Sequence, residues 1–188
     1  MTSKRGSYCE LVARHYEQVW KNRGVLRQWQ RGPLARMAPE FRVLELSPTE
    51  TRNSWTYATV GMSDGMEEGA VEVHLLSPVA SPLHVESLTV IAHYHRTEAM
   101  LGLGHTVNLG RPWLPGSSAA HMLLSLPYLD GPELEWARVN GVDVRFLWLI
   151  PITLAERDFK AANGLEALEQ AFEKAQFNYL DPRRASVV

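Results

Sequence analysis

Four histidines, His93, His95, His105 and His121, cluster in the middle of the chain, where imidazoles could ligate a metal or serve as general bases. On a helix His93 and His95 point about 200° apart, so they cannot close on one ion, and the HExxH spacing of zinc enzymes is absent. No metal or cofactor is expected. The stretch HTVNLGRPWLPGSS, residues 105–118, adds Ser117 and Ser118, but it lacks a GxSxG elbow and no acid–base partner follows from spacing. Glu156 and Asp158 sit two apart, a spacing that makes them diverge on a helix, and read more simply as the acidic first turn of one. Gly102-Leu103-Gly104 follows a helical pattern instead of a strand and has no third glycine or GK[ST]. It is expected to stop the helix, with Gly102 or Gly104 left-handed.

Arg111 and Trp113 are of a different kind, because Pro112 and Pro115 stiffen the segment that carries them. Aromatic and arginine anchors on a rigid loop contribute interface energy at low ordering cost. Two readings stand: Arg111, Trp113, Leu114 and Pro115 form a protein-binding edge, or Trp113 is a plug buried under a long loop.

These residues must be positioned by elements whose periods are legible. Tyr8, Leu11, Val12, His15, Tyr16 and Val19 recur at helical spacing and predict a helix over about 5–22. After a connection over 27–40, FRVLELSP, WTYATVGMS from Trp55 and VEVHLLS alternate as strands of an antiparallel meander, with Val71, Val73 and Leu75 facing one way and Glu72 and His74 the other. A second helix is expected from Pro82 to about Met100, with Ser81 as N-cap and Pro82 at the first position. HMLLSLPY and VDVRFLWLIPIT read as two more strands. The second is nearly continuous in apolar residues, as a central strand buried on both faces is. Asp130-Gly131-Pro132 marks a turn, Thr153 with Glu156 a capping box, and GLEALEQAFEKAQF a final amphipathic helix. The order predicts one α+β domain over 1–188, a mostly antiparallel or mixed sheet of about five or six strands with helices packed against it.

The bulk numbers agree with one soluble domain. The chain has 188 residues, 45% hydrophobic and 21% charged, and a net charge of −2, so neither nucleic acid nor a membrane is expected as partner. One cysteine, Cys9, and a start interrupted by charge point to a cytoplasmic setting.

From about Phe41 to the C-terminus the segments WTYATVGMS, VEVHLLSP, LTVIAHYHRT, LGLGHTVNLGRPWLPGSS, HMLLSLPYLDGPELEW and VRFLWLIPIT resemble, in this order, the Suppressor of Fused domain family, and its single-domain bacterial members above all. Residues 1–40 carry less of the resemblance. It implies an α+β domain that binds proteins without catalysis. Animal members grip an extended peptide of a transcription factor by strand addition, and bacterial members are thought to act as immunity proteins that neutralise toxins. They place a tyrosine of an Ala-x-Tyr stretch against the peptide, which Ala92-His93-Tyr94 resembles. They also use an acid before a His-x-Val, which His105-Thr106-Val107 resembles, with Gly104 at the acidic position. The expected function is therefore a non-catalytic domain that sequesters or inhibits a protein partner through Tyr94, His105, Arg111, Trp113, Leu114, Pro115, Ser117 and Ser118. The alternative is a hydrolase using the His-rich region around residues 93–121.

Overall fold

The computed structural model describes residues 6–31 and 40–188; residues 32–39, inside the expected connection, lie outside the described residues. Helix α1 (Tyr8–Trp20) is followed by strands β1 (Val25–Arg27), β2 (Arg42–Leu46), β3 (Trp55–Val60) and β4 (Val71–Ser77). Helix α2 (Pro82–Thr97) leads to β5 (Thr106–Asn108) and β6 (His121–Ser125). Then come the single turn α3 (Pro132–Glu135), β7 (Trp136–Val139), β8 (Val142–Ile152), α4 (Leu154–Asn163) and α5 (Leu165–Ala175).

The strands form one sheet in the order β1-β2-β3-β4-β8-β6-β5, with β7 paired to β8 beside β6. The meander β2-β3-β4 is antiparallel as expected, and β4 and β8 run parallel. The apolar run of β8 is central. It pairs with β4 on one side, with β7 and β6 on the other, and from Phe146 to Ile152 every residue is buried. The described residues hold eight strands, more than expected, because β1, β5 and β7 are only three or four residues long and too short to show a period.

Helices cover both faces. Val85, Leu88, Ile91 and Ala92 of α2 pack on Val71, Val73, Leu75, Leu147 and Leu149. On the other face Tyr8, Val12 and Tyr16 of α1 cover Leu44, Ala58, Val60 and Phe146, while Leu168 and Phe172 of α5 cover Leu123, Trp148 and Ile150. Local signals set the helix starts: Ser7 and Glu10 close a capping box on α1, Ser81 caps α2 with Pro82 next, and Thr153 and Glu156 close the box on α4.

The glycine stop is a correction. Helix α2 ends at Thr97, where the N–H groups of Glu98 and Ala99 both donate to Tyr94 O at 2.9 and 3.2 Å, before the glycines are reached. Gly104, at φ +79°, instead turns the chain into β5 and donates to Leu124 O at 2.8 Å.

The C-terminal tail is fastened by one buried ion pair. Arg184 donates from Nη1 and Nη2 to the two Glu156 oxygens at 2.6 and 2.8 Å and to Pro151 O at 2.9 Å, and Val187 N–H donates to Glu156 Oε1. Burial works to raise the Glu156 carboxyl and loses to Arg184 and the Thr153 N–H, which hold it below its ordinary value. Removing one member leaves a charge uncompensated in a group with no exposed surface. Arg184→Ala is expected to cost about 3–5 kcal/mol by urea unfolding, and Glu156→Gln combined with Arg184→Met to recover most of it. A cost below about 1 kcal/mol, the level of a surface pair, counts against this reading.

Candidate protein-binding surface

The residues 108–121 close on themselves. Asn108 pairs with His121, Leu109 N–H donates to Ala120 O at 2.9 Å, and Trp113 N–H donates to Ala119 O at 3.0 Å. At the tip Ser117 N–H reaches Leu114 O, and Ser117 Oγ accepts from Ala119 N–H at 3.0 Å. Inside this loop Trp113 is 2% exposed and Leu114 4%, both in the core between α2 and the sheet. Of the two readings of Trp113, the buried plug is therefore the observed one. Trp113, Leu114 and the buried Ser117 present no surface to a partner, because the loop folds its apolar side chains under itself.

Trp113 rests on a ring stack that links loop, helix and sheet: its indole lies 5.9 Å from the His84 ring, which lies 4.9 Å from Tyr57. Arg111 secures the outside of the loop. Its Nη2 donates to Glu86 Oε2 at 3.0 Å and Ser87 Oγ at 3.1 Å, both on α2. Glu86, Val90 and Tyr94 follow at steps of four along that helix and share a face, so Arg111 and Tyr94 come together on one ridge, about 12 Å apart along its axis. Val90 and Tyr94 are each 39% exposed. Pro115 and Ser118 stand exposed on the loop. His105 is exposed in the turn before β5 and is held only through its backbone, so the structure does not tie its side chain to the ridge. Val90 escaped sequence reasoning, since an exposed valine in an apolar helix looks like core; its offset of four from Tyr94 was the available signal.

Hydrogen-bond directions decide what the histidines can do. Two serine–histidine pairs are buried, Ser63 Oγ with His95 Nε2 at 3.0 Å and Ser77 Oγ with His84 Nε2 at 2.9 Å. In a nucleophilic pair the serine donates to the ring. Here Ser63 donates to Val71 O at 2.7 Å and Ser77 to Val79 O at 2.8 Å, so both rings must donate to the serines. For His95 the tautomer is fixed a second time, because Nδ1 accepts from Leu101 N–H at 2.9 Å. Burial holds the His84 ring down to about 4, with Arg111 adding to the shift, so it stays neutral. His93 bonds Thr97 on its own helix. Among the described residues no three His, Cys, Asp or Glu side chains come together as a metal site.

Two buried polar residues lie beneath α1, on the face of β4 that alternation assigned to polar groups. His74 approaches Asp130 at 3.6 Å, and Asp130 accepts from Trp20 Nε1 at 2.9 Å and from Arg52. Glu72 Oε1 accepts from Gly61 and Ser63 N–H at 3.2 and 3.3 Å, and the buried Tyr8 hydroxyl faces the same carboxyl. Burial pushes the Glu72 carboxyl up to about 7.

Three outcomes follow. Trp113→Ala is expected to cost about 3–5 kcal/mol by urea unfolding. Arg111→Ala, whose pair with Glu86 is one-third exposed, should cost no more than about 1 kcal/mol; equal costs would show that the loop is not plugged by the indole. Glu72 has its folded value raised from 4.5 to about 7, so its contribution is complete below pH 4.5 and is lost as pH rises through 7. Glu72→Gln should therefore gain up to about 3 kcal/mol more relative to wild type at pH 8 than at pH 5. An identical difference at the two pH values would refute the shift.

The family of the Suppressor of fused protein (SUFU) matches residues 37–185. A suppressor of fused homologue from Neisseria gonorrhoeae has 36% identity and a TM-score of 0.84, with 96% of this chain and 97% of that one covered. The Sufu–Fu complex matches at 13% identity and a TM-score of 0.74 over 98% of this chain and 93% of the other. Drosophila Suppressor of Fused matches at 15% identity and 0.71, over 99% of this chain and 52% of its own length. The last two likenesses establish the fold alone. A search of curated proteins finds no match. The family match over most of the chain, together with the 36% identical homologue, means that this chain belongs to the Suppressor of fused family.

Proposed function

We propose that this chain is a non-catalytic domain that binds and sequesters a protein partner through the ridge formed by Glu86, Val90 and Tyr94 of α2 and the outer side of the 108–118 loop, with Arg111, Pro115 and Ser118. The observation that carries the reading is the wiring of the serine–histidine pairs: in Ser63–His95 and Ser77–His84 the serine proton is committed to a backbone carbonyl, so the arrangements that look like dyads hold the fold. Ser117, which is buried, is engaged as an acceptor, its Oγ taking the Ala119 N–H. What is left outward is an apolar and aromatic stripe on a helix that the buried Trp113 and the Arg111–Glu86 pair hold rigid, the kind of surface that binds at low ordering cost.

Family membership supports a protein as the partner; the narrower form of the proposal, which rests on the sequence resemblance alone, is that the partner is a bacterial toxin and the domain its cytoplasmic antidote. No described helix is long and apolar enough to cross a membrane. The test is to purify the complex from the native host, identify the partner and measure affinity by calorimetry. Tyr94→Ala and Val90→Ala should each weaken binding about tenfold or more, roughly 1.4 kcal/mol, with unchanged thermal unfolding. Undiminished affinity in both would remove the ridge from the interface. Hydrolysis by the purified protein that disappears in His105→Ala or His95→Gln would favour the enzyme instead.

A further inference from the structure

The edge strand β7 has no role in the surface above, and among the described residues its outer side is unpaired. Asn140 and Gly141, at φ 50° and 94°, form the two-residue turn joining β7 to β8, with Val139 opposite Val142. In such a hairpin the residues next to the turn exchange hydrogen bonds and every second residue does the same. Val139 and Ala137 therefore bond to β8, and the N–H and C=O groups of Trp136 and Arg138 point away from it. No backbone bond engages them among the described residues. Trp136 is 51% exposed beside a shallow hollow of about 390 Å³ lined by Trp136, Ala137, Arg138 and Asp143.

We infer that β7 is a homodimerisation edge at which two copies of this chain join their sheets, antiparallel, about a two-fold axis through Ala137. The occupant is a second copy because the strand is complementary to itself in one register only. A two-fold axis perpendicular to the sheet keeps each side chain on its face, so a residue can oppose only one of the same parity. An axis through Arg138 sets guanidinium against guanidinium. An axis through Trp136 leaves Leu134, in α3, without a strand partner.

An axis through Ala137 opposes each Trp136 to the Arg138 of the other copy, and all the free N–H and C=O groups of these residues meet in reciprocal pairs. The side chains complete the match. Arg145 already lies 5.1 Å from the centre of the Trp136 ring and is bonded to Glu135 at 2.7 Å, and Arg138 is bonded to Asp143 at 2.9 Å. In the joined sheet each indole is flanked by two guanidinium groups, each with its own carboxylate. On the other face the two Ala137 residues meet at the close, non-hydrogen-bonded spacing of about 4.5 Å between Cα atoms, where their methyl groups fit without displacement.

This interface is independent of the α2 ridge. Sedimentation equilibrium of the full chain from about 1 to about 500 µM should show a reversible monomer–dimer equilibrium, and Trp136→Ser and Arg138→Asp should each weaken it at least about tenfold. The register is read by cross-linking. In a Cys9→Ser background, Ala137→Cys should form an intermolecular disulfide under mild oxidation at least about ten times faster than Arg138→Cys, since only position 137 opposes itself within disulfide reach. A chain that is monomeric throughout the range overturns the inference. A dimer that survives both edge substitutions, or that cross-links equally at 137 and 138, overturns it as well.

Discussion

Strand β8 bonds to β4 on one side and to β7 and β6 on the other, and both its faces are apolar. A strand of this kind is stable only when each face of the sheet is covered. Helix α2 and the loop over Trp113 cover one face, and α1, α4 and α5 cover the other. The parallel pairing of β4 with β8 requires a crossover, and the chain between them, with α2, β5 and β6, is where the candidate surface is built. The position of that surface is a consequence of burying β8 twice.

Covering both faces also buries polar groups, and the fold meets their cost with specific partners. His84 and His95 donate to serines, Asp130 gathers Trp20 and Arg52, and Glu156 is closed by Arg184. Glu72 is met less fully, by the N–H groups of Gly61 and Ser63 and, among the described residues, by no cation. Its raised carboxyl and the depressed rings of His74, held down to about 3 by burial, and of His84 act in opposite directions. The histidines lose stabilisation as pH falls below 6.5 and Glu72 loses it as pH rises toward 7. Stability is thus drawn toward weakly acidic to neutral pH.

The loop 108–118 shows how one side chain changes a function class. With Trp113 inside, the prolines and Arg111 rigidify a platform instead of displaying an anchor, and the large apolar side chains left exposed beside it are Val90 and Tyr94 on the helix. The α2 ridge and the β7 edge lie on separate elements, so partner binding and self-association need not compete.

The sequence alone determined the elements with a long period: α1, α2 and α5 from apolar residues at steps of three and four, the β2-β3-β4 meander from alternation, and β8 as the central strand from its unbroken apolar run. It determined the caps at Ser81 and Thr153, because capping is a contact between residues three or fewer apart. The Asn140-Gly141 turn that defines β7 was a local signal carried by two adjacent residues, and the sequence reading passed over it. Burial of individual side chains was not. Nothing local distinguishes a Trp113 that points in from one that points out, or tells that α1 returns over Glu72 and His74 on the polar side of β4. The same holds for the two serine–histidine pairs, whose members lie 32 and 7 residues apart and whose chemistry depends on which carbonyl each hydroxyl meets. Only the tertiary structure decided these, because burial and hydrogen-bond direction are set by what packs across the sheet, and that is a relation between residues far apart in the chain.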